Sequence, residues 1–301
     1  MKKIILGTDW WTDCDDCVAL RVLTRFIKKG EIELVGVGIN ACMDKSVASL
    51  DAFLHHDGVS GVPIGIDMSA TDETITRLTY QYKMSEKAVE YKNNEDAEDG
   101  VRLYRRLLSE ADEKITIVEI GFHNIIGAVI QSNPDDISPL NGVELFKEKV
   151  EKVYVMGGAY DKNPGHEYNF HFYERTRKGA HILCEKCPVP MVFLGFEVGE
   201  PVHTGGTVLS DGDILKDAMT DFCSHYKQEL KGRSSWDPMT VLLAIIGDAE
   251  KAGYDLVYGK NYVDPETGDN TFTKDVNGNH SYVVKKYRDT YYENVINNII
   301  K

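Results

Sequence analysis

The chain has 301 residues, of which 42% are hydrophobic, and this composition supplies enough apolar material for a substantial core. Its 34 basic and 48 acidic residues give a formal net charge of −14, which argues against a protein that binds the phosphate backbone of nucleic acid, because such a protein needs a basic face. No stretch reaches the roughly 18 uninterrupted apolar residues of a membrane span. We therefore expect neither a nucleic acid nor a membrane as partner.

The first apolar run, Ile4-Ile5-Leu6, stops at Gly7 and is shorter than the apolar segment of a secretory signal, which has about 7–15 residues. The six cysteines are too sparse for a disulfide framework in a chain of this length. Cys184 and Cys187 have CxxC spacing, but no second pair of zinc ligands accompanies them, so we interpret them as reduced thiols. These features together favour a cytoplasmic protein.

Short β-rich runs alternate with longer amphipathic runs along most of the chain. The predicted strands are 3–6, 33–39, 62–66, 115–120, 150–156 and 189–194. The predicted helices are 16–29, 47–56, 97–110, 125–131 and 179–186. Strand and helix in turn, mostly without hairpin turns, predict an α/β fold with an open, mostly parallel central sheet flanked by helices.

The C-terminal part differs, because 261–286 carries Asp-Pro, Thr-Gly-Asp and Asn-Gly-Asn between β-rich pieces. This pattern predicts a small antiparallel hairpin or meander, followed by a short helix over 291–300. No repeat, low-complexity tract or linker divides the chain, and we predict a single domain over 1–301.

Polar residues follow several predicted strands directly. The first strand is followed by an aspartate cluster, the second by Asn40, and strand 115–120 by the segment Gly-Phe-His-Asn. Strand 150–156 is followed by Gly157-Gly158. Because ligands of parallel sheets bind outside the carboxyl ends of the strands, we expect the functional site at this edge.

The aspartate cluster consists of Asp9, Asp13, Asp15 and Asp16, which fall within eight positions. Such carboxylates repel one another and raise one another's pKa unless something neutralises them. A helix cap at Asp15 or Asp16 would explain one of them, and solvated surface aspartates are another interpretation. A divalent cation explains all four, and oxygen ligands without histidine or cysteine favour calcium or magnesium over zinc. Hydrolysis by an activated water is the reaction class that follows.

Two further segments carry polar residues at notable positions. In "SSWDPMTVLL", residues 234–243, Asp237 and Pro238 open an apolar helical run, and taken alone this is a helix cap. In "VMGGAYDKNPGHEYNF", residues 155–170, the glycine pair allows close approach of the backbone to a ligand. Glu167 and Asn169 are two residues apart, so an extended loop would place both on one side.

Taken together and in this order, the segments resemble the inosine–uridine preferring nucleoside hydrolase family over residues 3 to 250. "GTDWWTDCDD" resembles the longer variant of the family's aspartate signature, with an extra Asp-x before the final pair. "VYVMGGAYDKNPGHEYNF" is similar to the Met-Gly-Gly segment and its later Glu-Phe-Asn. "WDPMTVLL" matches the family's Asp-Pro, and "ITIVEIGFHNIIGAVI" matches the strand and turn that supply a metal-binding carbonyl.

The resemblance implies a calcium-dependent hydrolase that cleaves the N-glycosidic bond of a ribonucleoside or related riboside, as a homodimer or homotetramer. Carried over to this chain, the metal ligands are Asp9, Asp16, Asn124 (through its backbone carbonyl) and Asp237. Asp9 is also the general base. The residues implied in substrate binding are Asp15, Asn40, Glu167, Asn169 and Trp236.

The chain departs from the family pattern at three places. Gly7 stands where the family usually has the first aspartate of Asp-x-Asp. Trp236 replaces a histidine that serves as acid to the departing base, and an indole can stack on a base but cannot serve as that acid. The ribose-binding asparagine after strand two has no clean match, with Asn40 and Asp44 as candidates.

The acid that serves the leaving group is therefore open, as is the base pocket. The candidates are His123, His166, Trp10 and Trp11. Histidine is the usual acid near neutral pH, and the tryptophans could stack on a base. Asp13 belongs to the two-residue extension of the turn, and we expect it to cap the helix or support the site from behind.

Two alternatives to the hydrolase remain. A calcium-dependent ribose- or nucleoside-binding protein that has lost catalysis is favoured by Gly7 and Trp236. A metal-dependent phosphohydrolase would need a lysine and a Thr/Ser motif at later strand ends, which the sequence does not clearly show, and the acidic charge opposes an anionic substrate.

Overall fold

A mixed sheet of ten strands forms the centre of the part of the chain that the computed structural model describes, residues 1–71 and 79–301. The strands in chain order are β1 (Lys2–Thr8), β2 (Ile32–Ile39), β3 (Ile64–Ile66), β4 (Glu98–Asp99), β5 (Ile115–Glu119), β6 (Val150–Met156), β7 (Met191–Leu194), β8 (His203–Thr204), β9 (Arg233–Ser234), β10 (Tyr254–Val263), β11 (Asn270–Lys274) and β12 (His280–Lys285). Strands β8 and β9 pair with each other as a small antiparallel ribbon outside the large sheet.

Helices cover both faces of the sheet. They are α1 (Asp15–Lys28), α2 (Ser46–His56), α3 (Tyr80–Ser85), α4 (Gly100–Glu110), α5 (Asn124–Gln131), α6 (Gly142–Lys149), α7 (Tyr168–His171), α8 (Glu174–Lys186), α9 (Phe196–Gly199), α10 (Ile214–His225), α11 (Trp236–Ile246) and α12 (Asp289–Ile300). Within residues 1–71 and 79–301, each helix is too short or too polar to cross a membrane.

The strand order is β11-β10-β12-β7-β6-β5-β1-β2-β3-β4. All neighbours from β12 to β4 are parallel, and β10 runs antiparallel to both β11 and β12. The predicted open, mostly parallel sheet flanked by helices is confirmed, and so is the C-terminal meander. The meander is continuous with the main sheet, because β12 pairs with β7.

The central strands are buried on both faces, as parallel strands covered by helices are. Every residue of β5 is buried. Side chains alternate between two cores, since Ile4 and Leu6 pack with α1 and α11 residues, whereas Ile5 and Ile117 pack with residues of α4, α5 and α8. The strands are thereby fixed in register, and their carboxyl ends are aligned at one edge.

Capping residues explain where two helices begin in the structure. The helix predicted over 97–110 begins at Gly100, because the Asp99 side chain accepts hydrogen bonds from the backbone N–H groups of Val101 and Arg102. Helix α6 was not predicted, although Asn141 and Glu144 form a capping box at its start.

Gly7 and Gly38 lie side by side on β1 and β2 and leave a slot on the face of the sheet. A Cβ atom at Gly7 would overlap the Glu119 carboxylate, and one at Gly38 would lie 2.6 Å from Tyr104 Cε2. The Tyr104 hydroxyl donates to Glu119 Oε1 at 2.8 Å, and both side chains are fully buried. Burial raises the pKa of Glu119 to about 8. A carboxyl group from β5 thus fills the space beside Gly7.

Replacing Gly7 with alanine should lower the free energy of unfolding by roughly 1–3 kcal/mol, the usual cost of over-packing a core. In a chain that carries Glu119→Ala the same change should cost much less, because the carboxylate that the new methyl group meets is absent. Chemical denaturation of the wild type, both single variants and the double variant measures this coupling. If Gly7→Ala lowered the free energy of unfolding equally in both backgrounds, the Glu119 carboxylate would not be what fills the space beside Gly7.

Candidate functional site

A cavity of about 430 Å³ opens at the carboxyl end of the parallel strands. This volume is within the range of small-molecule sites. Ile120, directly after β5, and Met156, at the end of β6, line it, so the cavity is at the edge where the polar segments were expected. Acidic side chains line one part of it, and aromatic side chains line another.

The acidic part is formed by Asp9, Asp15, Asp16 and Asp237. Asp9 follows β1, Asp15 and Asp16 form the first turn of α1, and Asp237 lies in the first turn of α11. Carboxylate oxygens of Asp15, Asp16 and Asp237 lie within 4.8 Å of one another, and all three side chains are buried. Two helix N-termini, whose N–H groups favour negative charge, therefore converge on this cluster.

Burial and mutual repulsion raise the pKa of every carboxyl group in this cluster. The pKa of Asp9 rises to about 8, through burial first and then through the charges of Asp15 and Asp13. The pKa of Asp16 is raised by burial and by Asp9, against a hydrogen bond from the Thr8 hydroxyl. Positive charge among these oxygens would relieve the repulsion, and a set of oxygen donors fits Ca²⁺ or Mg²⁺.

Glu167 and Asn169 both line the cavity after β6. The extended loop predicted for the pair is wrong at Asn169, because Glu167 ends the loop as the N-cap of α7 and Asn169 lies in the first turn of that helix. The Glu167 carboxylate accepts hydrogen bonds from the backbone N–H groups of Asn169 (2.8 Å) and Gly158 (3.0 Å). Burial raises the pKa of Glu167 to about 7, and these hydrogen bonds oppose the rise. Asn169 Nδ2 donates to the Met156 carbonyl at 3.3 Å. The loop is thus held with both side chains at the cavity.

Aromatic side chains form the rest of the lining. The rings of Trp236 and Phe196 lie 5.3 Å apart, and Trp236 Nε1 donates to the Phe196 carbonyl oxygen at 2.7 Å. The ring of Trp11 lies 6.1 Å from that of Tyr168, and both side chains also line the cavity. These rings provide flat apolar surfaces on which a base could stack.

Five residues predicted for the site do not line the cavity: Asn40, Asn124, His123, His166 and Trp10. The Trp10 indole points into the core, where Nε1 donates to Ser49 Oγ at 2.9 Å. Asn40 is fully buried, and its Oδ1 accepts from the Phe122 N–H at 2.8 Å. The Asn124 side chain donates to Asp67 Oδ2 at 2.6 Å.

Neither candidate histidine is placed as an acid at the cavity. His123 is fully buried, and burial lowers its pKa to about 4, so its imidazole is neutral at pH 7. His166 is exposed, its Nδ1 lies 2.6 Å from Asp269 Oδ1, and its ring stacks on His171.

The sequence reasoning missed several residues that line the cavity, and Arg233 is the most notable of them. Its guanidinium pairs with Asp13, which also lines the cavity, with Nη2 2.5 Å from Asp13 Oδ2. Asp13 was predicted to cap α1 or to support the site. Its Oδ1 accepts from the N–H of Cys14 at 2.7 Å, but Cys14 precedes α1, and within the described residues no side chain caps the N–H groups of that helix. Phe222, Tyr226 and Gln228 come from the end of α10 and the loop after it, a helix that the sequence analysis did not identify.

No family model matches the chain, and no curated protein matches it. Solved structures do match. The inosine–uridine preferring nucleoside hydrolase from Bacillus anthracis is 14% identical, with a TM-score of 0.68, over 100% of this chain and 99% of the other. The purine-preferring ribonucleoside hydrolase from Gardnerella vaginalis is 18% identical, with a TM-score of 0.70, over 99% of this chain and 98% of the other.

The type III effector protein XopQ, complexed with adenosine diphosphate ribose, is also similar. It is 14% identical, with a TM-score of 0.68, over 99% of this chain and 92% of the other. At these identities the similarity concerns the course of the backbone, and it extends over nearly the whole length of each chain. The chain therefore has the fold of the nucleoside hydrolases.

Proposed function

We propose that this protein hydrolyses the N-glycosidic bond of ribonucleosides, or of a related riboside, to ribose and free base. The observation that carries the proposal is the convergence of four carboxylates, Asp9, Asp15, Asp16 and Asp237, on one cavity at the strand ends. The nucleoside hydrolase fold of the chain supports the same reaction.

We infer that the carboxylates of Asp9, Asp16 and Asp237 hold a divalent cation, for which the resemblance implies Ca²⁺. When bound, the cation supplies positive charge that orients the attacking water and the ribose hydroxyls. Oxygens of Asp15, Asp16 and Asp237 lie within 4.8 Å of one another, and Asp9 lines the same cavity. The pKa of each of these four carboxyl groups is raised by burial and by the neighbouring charges, and positive charge among them would relieve that repulsion, which supports the inference. We extend the proposal to Asp15 as a ribose-hydroxyl acceptor.

In this mechanism Asp9 is the general base. One of its oxygens, Oδ1, accepts from the Trp11 N–H at 3.2 Å, which fixes the carboxylate at the cavity wall. A cation held beside Asp9 would lower the pKa of this group from its raised value, so that the carboxylate would be ionised and could take the proton of the attacking water.

The acidic lining also suits the transition state of the reaction. Cleavage of a glycosidic bond passes through an oxocarbenium-like state, with positive charge on the sugar. Carboxylates fixed around the sugar stabilise that charge without reorganising, and Glu167 and Asn169 stand where they can hold ribose hydroxyls.

A second candidate function is that of a ribose- or nucleoside-binding protein without catalysis. The observation that favours it is the environment of Trp236, whose Nε1–H is committed to the Phe196 carbonyl. None of the cavity-lining residues, all within the described ranges, is a histidine. The complex of XopQ with adenosine diphosphate ribose is a case of riboside binding by a protein of this fold.

Incubation with inosine, uridine and p-nitrophenyl riboside separates the two functions. We expect release of reducing sugar that is lost on chelation with EDTA and restored by Ca²⁺, because the carboxylate cluster depends on a cation. Retained ribose binding without release of sugar from any of the three would contradict the hydrolase and favour the binding protein.

Asp9→Asn should lower kcat by about 10²–10⁴-fold while leaving the fold intact, since it removes the base and keeps the shape of the side chain. Steady-state kinetics and circular dichroism measure the two effects. Asp211→Asn is the matched control, because Asp211 is 99% exposed and outside the cavity. A fully active Asp9→Asn protein would refute the assignment of the base.

The cation-induced rise in Tm should be larger at pH 8 than at pH 5. The carboxyl groups of the cluster have higher pKa values in the folded protein than the value of about 3.8 in the unfolded chain. Their protonated forms therefore stabilise the fold, fully below pH 3.8, and this contribution is lost as the pH rises toward 8. Ca²⁺ replaces the protons, and its effect therefore grows with pH.

Thermal unfolding with Ca²⁺ or EDTA at both pH values tests this prediction. Asp16→Ala should abolish most of the Ca²⁺ effect, because it removes one carboxylate of the buried cluster. A rise in Tm that is the same at pH 5 and pH 8 would show that the ion binds elsewhere.

A further inference from the structure

We propose that the guanidinium of Arg233 binds the leaving base. Its fixed positive charge stabilises the negative charge that develops on the base, without transfer of a proton. The inference rests on the proposed function, since it assigns the end of the same cavity that receives the base. Arg233 lies on the short strand β9, three residues before Trp236, and its side chain is 22% exposed. Of the cavity-lining residues, all of which belong to the described part of the chain, Arg233 alone carries a positive charge.

The guanidinium is held on one edge by Asp13. Arg233 Nε donates to Asp13 Oδ1 at 2.8 Å, and Nη2 donates to Asp13 Oδ2 at 2.5 Å. Such a bidentate pair fixes the plane of the guanidinium. Burial alone would lower the pKa of Arg233, but the hydrogen bonds and charge of Asp13 outweigh burial and raise it. The group therefore stays charged throughout the reaction.

Two aromatic rings lie close to the same guanidinium. Arg233 Cζ lies 4.9 Å from the ring centroid of Trp236 and 5.0 Å from that of Phe222. Contacts of a guanidinium with aromatic rings at this distance are attractive and limit its rotation. Since Trp236 and Phe222 both line the cavity, the guanidinium of Arg233 belongs to the aromatic part of the lining.

The edge of the guanidinium that Asp13 does not use remains for a ligand. Among the described residues Nη1 has one hydrogen-bond contact, to Ser234 Oγ at 3.4 Å, which is at the outer limit of such bonds. A guanidinium has five N–H donors, and Asp13 occupies the edge formed by Nε and Nη2. The Nη1 donors are thus available to acceptor atoms of a base in the cavity.

Arg233 and the acidic part belong to one cavity, so a single substrate could contact both. Arg233 and Asp15 line the same cavity, and Asp13, which holds the guanidinium, lies two residues before Asp15. A riboside with its sugar at the carboxylates would direct its base toward Arg233 and the indole of Trp236. The cavity then has anionic groups where the sugar becomes positive and a cationic group where the base becomes negative.

The chemistry of the step requires such a group. The C1′–N bond breaks, its electron pair stays on the base nitrogen, the water oxygen bonds to C1′, and the water proton goes to Asp9. The departing base is an anion until it takes a proton from solvent. Arg233 would donate hydrogen bonds to the oxygen or ring nitrogen over which this charge spreads, as preorganised donors do at other developing anions.

The test compares substrates whose leaving groups differ in their need for stabilisation. For Arg233→Gln in the Ca²⁺-loaded full-length protein, we expect kcat on inosine to fall by about 10²-fold or more. On p-nitrophenyl riboside kcat should stay unchanged, because nitrophenolate is stable as an anion. Arg233→Lys should be intermediate, since it keeps the charge and loses the fork.

Arg102→Gln is the matched control, because Arg102 also pairs with an aspartate, Asp136, at an exposed position outside the cavity. Equal losses on both substrates in Arg233→Gln would show that the Arg233–Asp13 pair only ties the turn to β9. No loss on either substrate would show that Arg233 does not contact the leaving group. Both results would overturn the proposal.

A binding measurement keeps the inference separate from the proposed function. Free hypoxanthine should quench the tryptophan fluorescence of the wild type, and Arg233→Gln should weaken its binding by about tenfold or more. Ribose binding, measured by calorimetry, should be the same in both proteins. If the wild type hydrolyses no riboside, this pattern would still support Arg233 as the base-binding residue, and equal hypoxanthine affinity in both proteins would refute it.

Discussion

The structure is organised around the repulsion of like charges that the fold buries together. Asp15, Asp16 and Asp237 are each less than a twentieth exposed, and their oxygens lie within 4.8 Å of one another. In water these groups would separate, but α1 and α11 hold them in place because the apolar residues of both helices pack in one core. Positive charge would relieve this unfavourable cluster, and the proposed hydrolysis would supply it from a cation and from the sugar of the transition state.

The other features of the cavity complement this acidic part. Trp236 begins α11 directly before Asp237, so one helix N-terminus supplies both a carboxylate and an aromatic surface. Asp13 lies in the turn before α1 and fixes Arg233 instead of joining the carboxylate cluster. The extra aspartate of the two-residue extension, Asp13, thus holds the positively charged side chain of Arg233 at the cavity. We infer a division of the cavity into a sugar end and a base end.

Local sequence signals predicted the sheet, most of its helices and the residues at the strand ends, because strand alternation and short motifs depend on neighbouring residues. They could not predict contacts between distant segments. Asp13 and Arg233 are 220 residues apart, and only the fold brings them together. Glu119 fills the slot beside Gly7 because of the pairing of β1 with β5. Trp10 and Trp11 are adjacent, yet the indole of Trp10 lies in the core and that of Trp11 lines the cavity. The backbone at Trp10 has a positive φ of 43° at this point.

A crystal structure of the protein with Ca²⁺ and ribose tests the central claim most directly. The account predicts one ion bound by Asp9, Asp16 and Asp237, with the ribose hydroxyls at Asp15, Glu167 and Asn169. The anomeric carbon should lie between the Asp9 carboxylate and the side of the cavity formed by Trp236 and Arg233. An ion or a ribose bound outside this cavity, or a ribose whose anomeric carbon faces away from Asp9, would contradict it.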